Sequence, residues 1–234
     1  MAVSIDTVYQ RVQAIVNKEN RGYITPQEFN LFANQAQLEI FEQYSYDMNQ
    51  FMRRTQNDTE YADLVKLTNE KLSKFKKSAT LVYMSDHFHL PNDFHKMGTV
   101  IYNGTTPVEQ IDKKNLLEYQ LSKLTAPTTN NPVYIQNIDN NSSHWAIDVY
   151  PTTSTSNISA TYLRKPNQVN WSYQTVAGTP LYNSSSASNF ELHDSEETTL
   201  VLKILLYAGI SIKEPDIASL ADAKETKKIT QEKS

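Results

Sequence analysis

The sequence predicts an α+β fold: a helical bundle from both chain ends with an inserted β-rich domain. Three observations predict it. Apolar residues recur every three to four positions in the first third of the chain and again around Leu200–Ala208. Between them, short β-branched and aromatic runs alternate with Gly, Pro, Asn and Thr clusters, the pattern of strands and turns. No internal repeat or heptad run points elsewhere. The expected division is a bundle from 1–79 and 191–214, a β-rich insert with one short helix at 80–190, and a terminal segment at 215–234.

Ile5, Val8, Val12 and Ile15 share one face and predict a first helix from about Asp6 to Asn17, capped by Ser4 or Asp6. The second has the clearest start signal in the chain, ITPQEF. Thr25 is the cap, Pro26 takes the first helical position, and Glu28 completes a capping box. Ile24 and Phe29 are spaced as a hydrophobic staple. This helix turns Phe29, Phe32, Ala33, Ala36, Ile40, Phe41 and Tyr44 toward the core and runs to about Phe51. A third helix starts near Asn57–Thr59 and ends near Lys77, with Tyr61, Leu64, Val65, Leu72 and Phe75 inward.

The predicted strands are Thr80–Met84, Thr99–Tyr102, Pro107–Gln110, Val133–Ile138, Trp145–Tyr150 and Ile158–Leu163. A short helix from Lys113 to Lys123 interrupts them, and the polar stretch from 172 to 189 reads as a long loop. Asp194 or Ser195 caps a last long helix, with Glu196 and Glu197 in its first turn, where the helix dipole favours acids. Its buried stripe is Leu200, Val201, Ile204, Leu205 and Ala208, and Gly209 is placed to end it. Pro215 opens a short helix bearing Ile217, Leu220 and Ala221, followed by the charged DAKETKKITQEKS.

The 234 residues carry a net charge of −4, with 22 Lys and Arg against 26 Asp and Glu. A nucleic-acid binder normally shows a basic domain or stripe. Local clusters are Arg53-Arg54 and Lys71, Lys74, Lys76 and Lys77, the latter read as a solvated helix face. With no cysteine, disulfides, thiolate metal sites and cysteine nucleophiles are excluded. The start MAVSIDTVYQ lacks a secretory pattern, and no apolar run approaches a bilayer span of ~20 residues, so folding in a cytoplasm is expected.

Catalytic patterns are wanting. There is no G-x-S-x-G elbow, no P-loop and no G-x-G-x-x-G. His87 and His89 would share one face of a strand, with His95, Asp86 and Asp93 nearby, but a zinc site needs three or four ligands in a set geometry. A polar strand end beside a turn is the preferred reading. Asp139, Asn140 and Asn141 resemble the start of a calcium loop without its downstream Gly and Glu, so a hairpin turn is expected. The expectation is therefore a non-enzyme with no cofactor and no metal. The 14 tyrosines with Trp145 and Trp171 could also form a sugar- or protein-binding face.

The order of short phrases carries a resemblance. LPNDFHKMGTVIYNG is followed by NLLEYQLSKL, then NPVYIQN, HWAIDVYPT and ISATYLRKPNQVNW, then EETTLVLKILLYAG. A Leu-Pro-x-Asp-Phe turn (Leu90 to Phe94), a Pro-x-Tyr strand (Pro132 to Tyr134), Tyr150-Pro151 and a Tyr-x-x-x-Pro strand (Tyr162 to Pro166) come in that sequence. This resembles the head–tail adaptor proteins of short-tailed phages, the tail tubular protein A type. The N-terminal stretch VYQRVQAIVNKENRGYITPQEFNLFANQAQLEIFEQY is similar to tail-barrel ring proteins of crAss-like phages, especially the first ring below the portal.

The resemblance implies a virion structural protein at the head–tail junction, assembled in the host cytoplasm. It implies a homo-oligomeric ring of twelve copies, contacting the portal protein and the next tail ring protein, with genomic DNA passing through and no membrane contact. Rings need two different lateral faces per subunit. Candidate lateral contacts are Arg21, Phe32, Phe41, Tyr44, Arg53 and Arg54. Candidate portal-docking residues are Pro215, Ile217, Leu220, Lys224, Lys227, Lys228 and Ile229. The competing expectations are a receptor- or glycan-binding virion module and an unrecognised hydrolase.

Overall fold

The computed structural model describes residues 3–18, 23–53, 59–84, 86–139, 144–211 and 223. The chain divides into two compact units, Met1–Lys74 with Pro166–Ser234, and Phe75–Lys165. The fold is α+β, with helices from both chain ends in the first unit and the β-rich second unit inserted between them. The insert is narrower than the expected 80–190, because residues after Pro166 run with the helices.

In the first unit, α1 (Ile5–Lys18) and α2 (Pro26–Arg53) pack with α5 (Glu197–Ser211), and α2 also meets α3 (Thr59–Ser73). The capping box of α2 forms as expected. The Thr25 amide donates to Glu28 at 2.9 Å, and the Glu28 amide donates to the Thr25 hydroxyl at 3.3 Å. The Thr25 amide and the Thr25 hydroxyl, both donating to the Glu28 carboxylate, hold it below its usual range. Ile24 and Phe29 are both buried, as a staple requires. The α1 face is Ile5, Val8, Tyr9, Val12 and Val16; Ile15 is exposed, one residue off the buried stripe. Helix α5 buries its five expected residues and continues through Gly209 to Ser211. Packing of that stripe outweighs a glycine's weak helix preference of about 1 kcal/mol.

A 3-10 turn, Asp194–Glu196, precedes α5, with the His193 ring accepting from the Ser195 amide. Glu196 is therefore not an exposed helix-start charge. It is buried and bonded to Lys71 at 2.6 Å, and the Lys71 ammonium lies 5.4 Å from the Tyr44 ring centre. Lys74 reaches the Leu192 carbonyl at 3.2 Å. The expected solvated lysine face is thus a set of engaged cations, and Lys76 and Lys77 lie on a strand.

Residues 172–189 are not wholly loop. β9 (Tyr173–Val176) and β10 (Thr179–Tyr182) form a hairpin, turned by Ala177 and Gly178, both at positive φ. Alanine is an unusual residue for that turn, which hides the signal. Trp171 stacks on Tyr9 at 4.0 Å and on Tyr173 and Tyr182, and its ring N–H donates to Asp6 at 2.9 Å. It is a core residue of this unit.

The second unit is an eight-stranded sheet in the order β1-β8-β4-β5-β6-β7-β3-β2. Its members are β1 (Lys76–Thr80), β2 (Val82–Met84), β3 (His87–His89), β4 (Phe94–Tyr102), β5 (Thr106–Gln110), β6 (Val133–Ile138), β7 (Trp145–Tyr150) and β8 (Ile158–Arg164). The two ends of that order are β1 and β2, which only Leu81 separates in sequence. One continuous stretch therefore pairs with β8 through its first half and β3 through its second, bringing the sheet near to a closed barrel. Full closure removes sheet edges. Phe88, Leu90, Phe94, Val100, Ile147, Ile158 and Tyr162 fill the interior with their neighbours.

Among the described residues β5 and β6 are the one parallel pair in this sheet, joined through α4 (Lys113–Gln120), the helical crossover that parallel strands require. Ile111, Leu116, Val133 and Ile135 form a second small core there. β6 and β7 pair antiparallel, and the Asp139 amide donates to the His144 carbonyl at 2.9 Å, so Asp139 does begin a hairpin connection.

Candidate functional site

The portal-docking candidates Pro215, Ile217, Leu220, Lys224, Lys227, Lys228 and Ile229 lie outside the described residues, as do Arg21 and Arg54. Arg53 is the last residue of α2, and its side chain is outside the description too. Among the other lateral candidates, Phe41 and Tyr44 are buried inside their own unit. Their spacing matches the core stripe of α2, so they have no surface to offer a neighbour. Phe32 is half-buried and stacks near Tyr207, with ring centres 6.3 Å apart. Among the described residues, the large apolar side chains that α2 exposes are Leu31, Leu38 and Tyr46, at 71%, 37% and 58%, and of these Leu31 and Leu38 form a strip. Seven residues apart, they share one side of the helix. Sequence reading missed them because it sought the dominant stripe, which is the core.

The histidines part company. Strand β3 buries Phe88 and turns His87 and His89 the other way, as alternation demands. The His87 ring nitrogen Nδ1 bonds Asp148, and His89 Nε2 lies 3.9 Å from Asp139. His95 is on β4. Each of the first two thus faces its own carboxylate. Among the described residues no three His, Asp or Glu side chains gather as a metal site would need.

His87 belongs instead to a cavity of about 300 Å³ in the second unit. Tyr83, Asp86 and His87 line it from the β2–β3 turn, and Asp148, Val149 and Tyr150 from β7. Thr152 and Ser154, just past β7, complete the lining. Asp148 accepts from the Asn137 amide as well as meeting His87. The Tyr83 hydroxyl reaches Asp86 at 3.4 Å. Ser154 is buried, and its hydroxyl has no partner among the described residues. Partial desolvation and then the charges of Asp86 and Asp148 push the Tyr83 hydroxyl up; burial and Asp148 do the same to Tyr150. Two carboxylates thus line the cavity, with no lysine or arginine among its lining residues. Sequence reading named His87 and Asp86 but joined neither to Asp148 or Ser154, because the two lining segments are about sixty residues apart in the chain.

The Leu-Pro-x-Asp-Phe turn and the Tyr-x-x-x-Pro strand lie together in the second unit. Phe94 donates its amide to the Pro91 carbonyl at 3.0 Å, closing the Leu-Pro-x-Asp-Phe turn. Asp93 in that turn accepts from the Tyr162 hydroxyl at 2.9 Å and from Lys77 at 2.9 Å, and its carbonyl accepts from the Lys165 amide at 2.8 Å. The turn and the Tyr-x-x-x-Pro strand are one local structure. No family model matches the chain, and no curated protein matches it. No helix among the described residues is long and apolar enough to cross a membrane.

Proposed function

We propose that this chain is a structural subunit of an oligomeric ring that connects a phage portal to the tail and forms part of the DNA channel. The observation that carries the reading is the junction of Asp93 with Tyr162 and Lys165. Phrases that resemble the adaptor proteins only by their order in the sequence come together as one substructure. Common architecture would bring those two phrases together, and that supports the reading. The α+β arrangement, a bundle with a β-rich insert, agrees with what the resemblance implies.

A ring closes through heterologous contacts. Leu31 and Leu38 supply an apolar strip on α2 for one such contact, in place of Phe41 and Tyr44. The segment 215–234 is the proposed portal-docking element. The test is native mass spectrometry and negative-stain microscopy of the purified chain, alone and with the portal ring. Closed rings, or a stoichiometric layer on the portal, are expected. Leu31→Glu with Leu38→Glu should abolish the ring without lowering the melting temperature. A chain that stays monomeric at high concentration and ignores the portal overturns the proposal. Deleting Pro215–Ser234 should abolish portal binding; undiminished binding refutes that docking role.

A further inference from the structure

We infer that the cavity between the β2–β3 turn and the end of β7 binds a guanidinium group. Two carboxylates, Asp86 and Asp148, line it, and none of its lining residues is Lys or Arg. With one imidazole present, the lining is net negative whichever way His87 is charged. A cavity of about 300 Å³ is at the small end of ligand sites, the size for a single side chain rather than a cofactor.

The donor and acceptor inventory selects the kind of cation. Asp148 gives one oxygen to His87 and the other to Asn137, yet each carboxylate oxygen keeps a further lone pair. Asp86 is exposed and, among the described residues, takes a long bond from Tyr83. Ser154 has a buried hydroxyl with open hydrogen-bonding capacity. A buried hydroxyl without a partner is a cost that a ligand donor would relieve. Several dispersed acceptors beside two tyrosine rings suit a planar group with five N–H donors that also stacks on aromatic faces. A compact ammonium has three donors and a strong hydration shell, and fits less well. A metal ion would need ligands gathered around one point, and no such group is present among the described residues.

The experiment is a titration of the full chain followed by amide-resolved NMR, with N-acetyl-L-argininamide as probe. Its neutral isostere, N-acetyl-L-citrullinamide, is the control. The charged probe should move the resonances of Asp86, Asp148 and Ser154 saturably, and the neutral one should not. Methylguanidinium provides a further arm: binding there too means that the bare group suffices, while binding of argininamide alone assigns the site to a peptide arginine. Asp86→Asn is the decisive variant. Asp86 has φ of 68°, a left-handed conformation that asparagine also tolerates, so the fold should be kept while the charge is lost. Affinity should fall at least tenfold. Absence of saturable shifts, equal response to both amides, or unchanged affinity in Asp86→Asn would each overturn the assignment. The ring reading is untouched by any of these results.

Discussion

The Asn34 side chain and the Val169 backbone exchange two hydrogen bonds, each at 2.9 Å, as two strand residues would. Asn30 does the same with Trp171, at 2.7 and 3.2 Å, and Gln37 donates to the Asn167 carbonyl at 2.8 Å. The spacing explains the fit. Residues three or four apart on a helix advance about 4.5–6 Å, and alternate residues of an extended chain advance about 6.6 Å. A ladder of carboxamides on α2 therefore stands in for a neighbouring strand along 167–171. Asn34→Ala should leave both Val169 groups unpaired and destabilise the chain by about 2–3 kcal/mol. Asn34→Asp keeps the acceptor but sets a carboxylate against the Val169 carbonyl. It should be at least as damaging at neutral pH and recover on acidification, when the acid can donate. Urea denaturation of both variants at two pH values decides this.

Lys203 breaks the apolar run of α5, and the structure gives the reason. It is buried and bonds Glu39 at 2.8 Å, while Tyr207 also donates to Glu39. Burial alone would raise the Glu39 carboxyl; the bonds from Lys203 and Tyr207 and the lysine charge outweigh it and hold the group below 4.5. A depressed carboxylate stabilises the fold above its unfolded value, and that stability is lost as pH falls through the folded value. The advantage of wild type over Glu39→Gln should hold at pH 7 and vanish on acidification below about pH 4. Glu39→Ala should cost about 3 kcal/mol by taking the carboxylate away from a buried ammonium, whereas Lys203→Met should be nearly neutral, because Glu39 is half-exposed to water. Thermal melts across pH 3–8 separate these outcomes.

Local signals were legible in the sequence, and distant ones were not. The capping box of Thr25 and Glu28 involves residues three apart, so the start of α2 can be read directly. Strands β6 and β7 are short β-branched and aromatic runs flanked by Pro132 and Pro151, and their bounds match the expectation. Strand β1, by contrast, carries Lys76 and Lys77 and has no deeply buried member, so it reads as the end of a lysine-rich helix. The segment after Pro166 is shaped by Asn30, Asn34 and Gln37, at least 130 residues earlier. Polar residues on a helix look like solvent-facing ones until their partner is known. The cavity around Asp148 is hidden for the same reason, since its two walls are remote in sequence.

Tyr162 is buried and donates to Asp93, which burial would raise but which Lys77 and Tyr162 hold below 3.8. Burial and then the Asp93 bond push the Tyr162 hydroxyl up to about 12. A raised tyrosine stabilises the fold fully below its unfolded value of 10, and that contribution is lost as pH rises toward 12. Tyr162→Phe should lower stability at pH 7 by about 1.5–3 kcal/mol, the range for a hydrogen bond to a charged acceptor. It should also flatten the alkaline loss of stability between pH 10 and 12. Equal slopes for the two proteins in that window would contradict the bond.

Gly98 sits in the irregular part of the β4–β8 pairing, where the register shifts between Met97 and Val100. A side chain there would place Cβ 2.8 Å from the Thr161 carbonyl oxygen and 3.0 Å from its hydroxyl. The carbonyl belongs to the backbone of β8 and cannot swing away. The hydroxyl is committed as well: it accepts from the Thr99 amide at 2.9 Å and donates to the Thr99 carbonyl at 3.2 Å, replacing the ladder bonds that the bulge interrupts. Gly98→Ala must therefore push β4 away from β8, against the strand pair that carries Tyr162, Ala160 and Ile158 into the core. A loss of about 1–3 kcal/mol is expected, the range for overpacking a tight site. Thr161→Val on its own should cost less, about 0.5–1 kcal/mol, because the Thr99 groups it frees are near solvent. Hydrogen exchange gives the sharper readout. Protection of the Val100 and Tyr162 amides should fall in Gly98→Ala while that of β6 and β7 stays near wild type, and uniform loss across the sheet would show that the clash is not local.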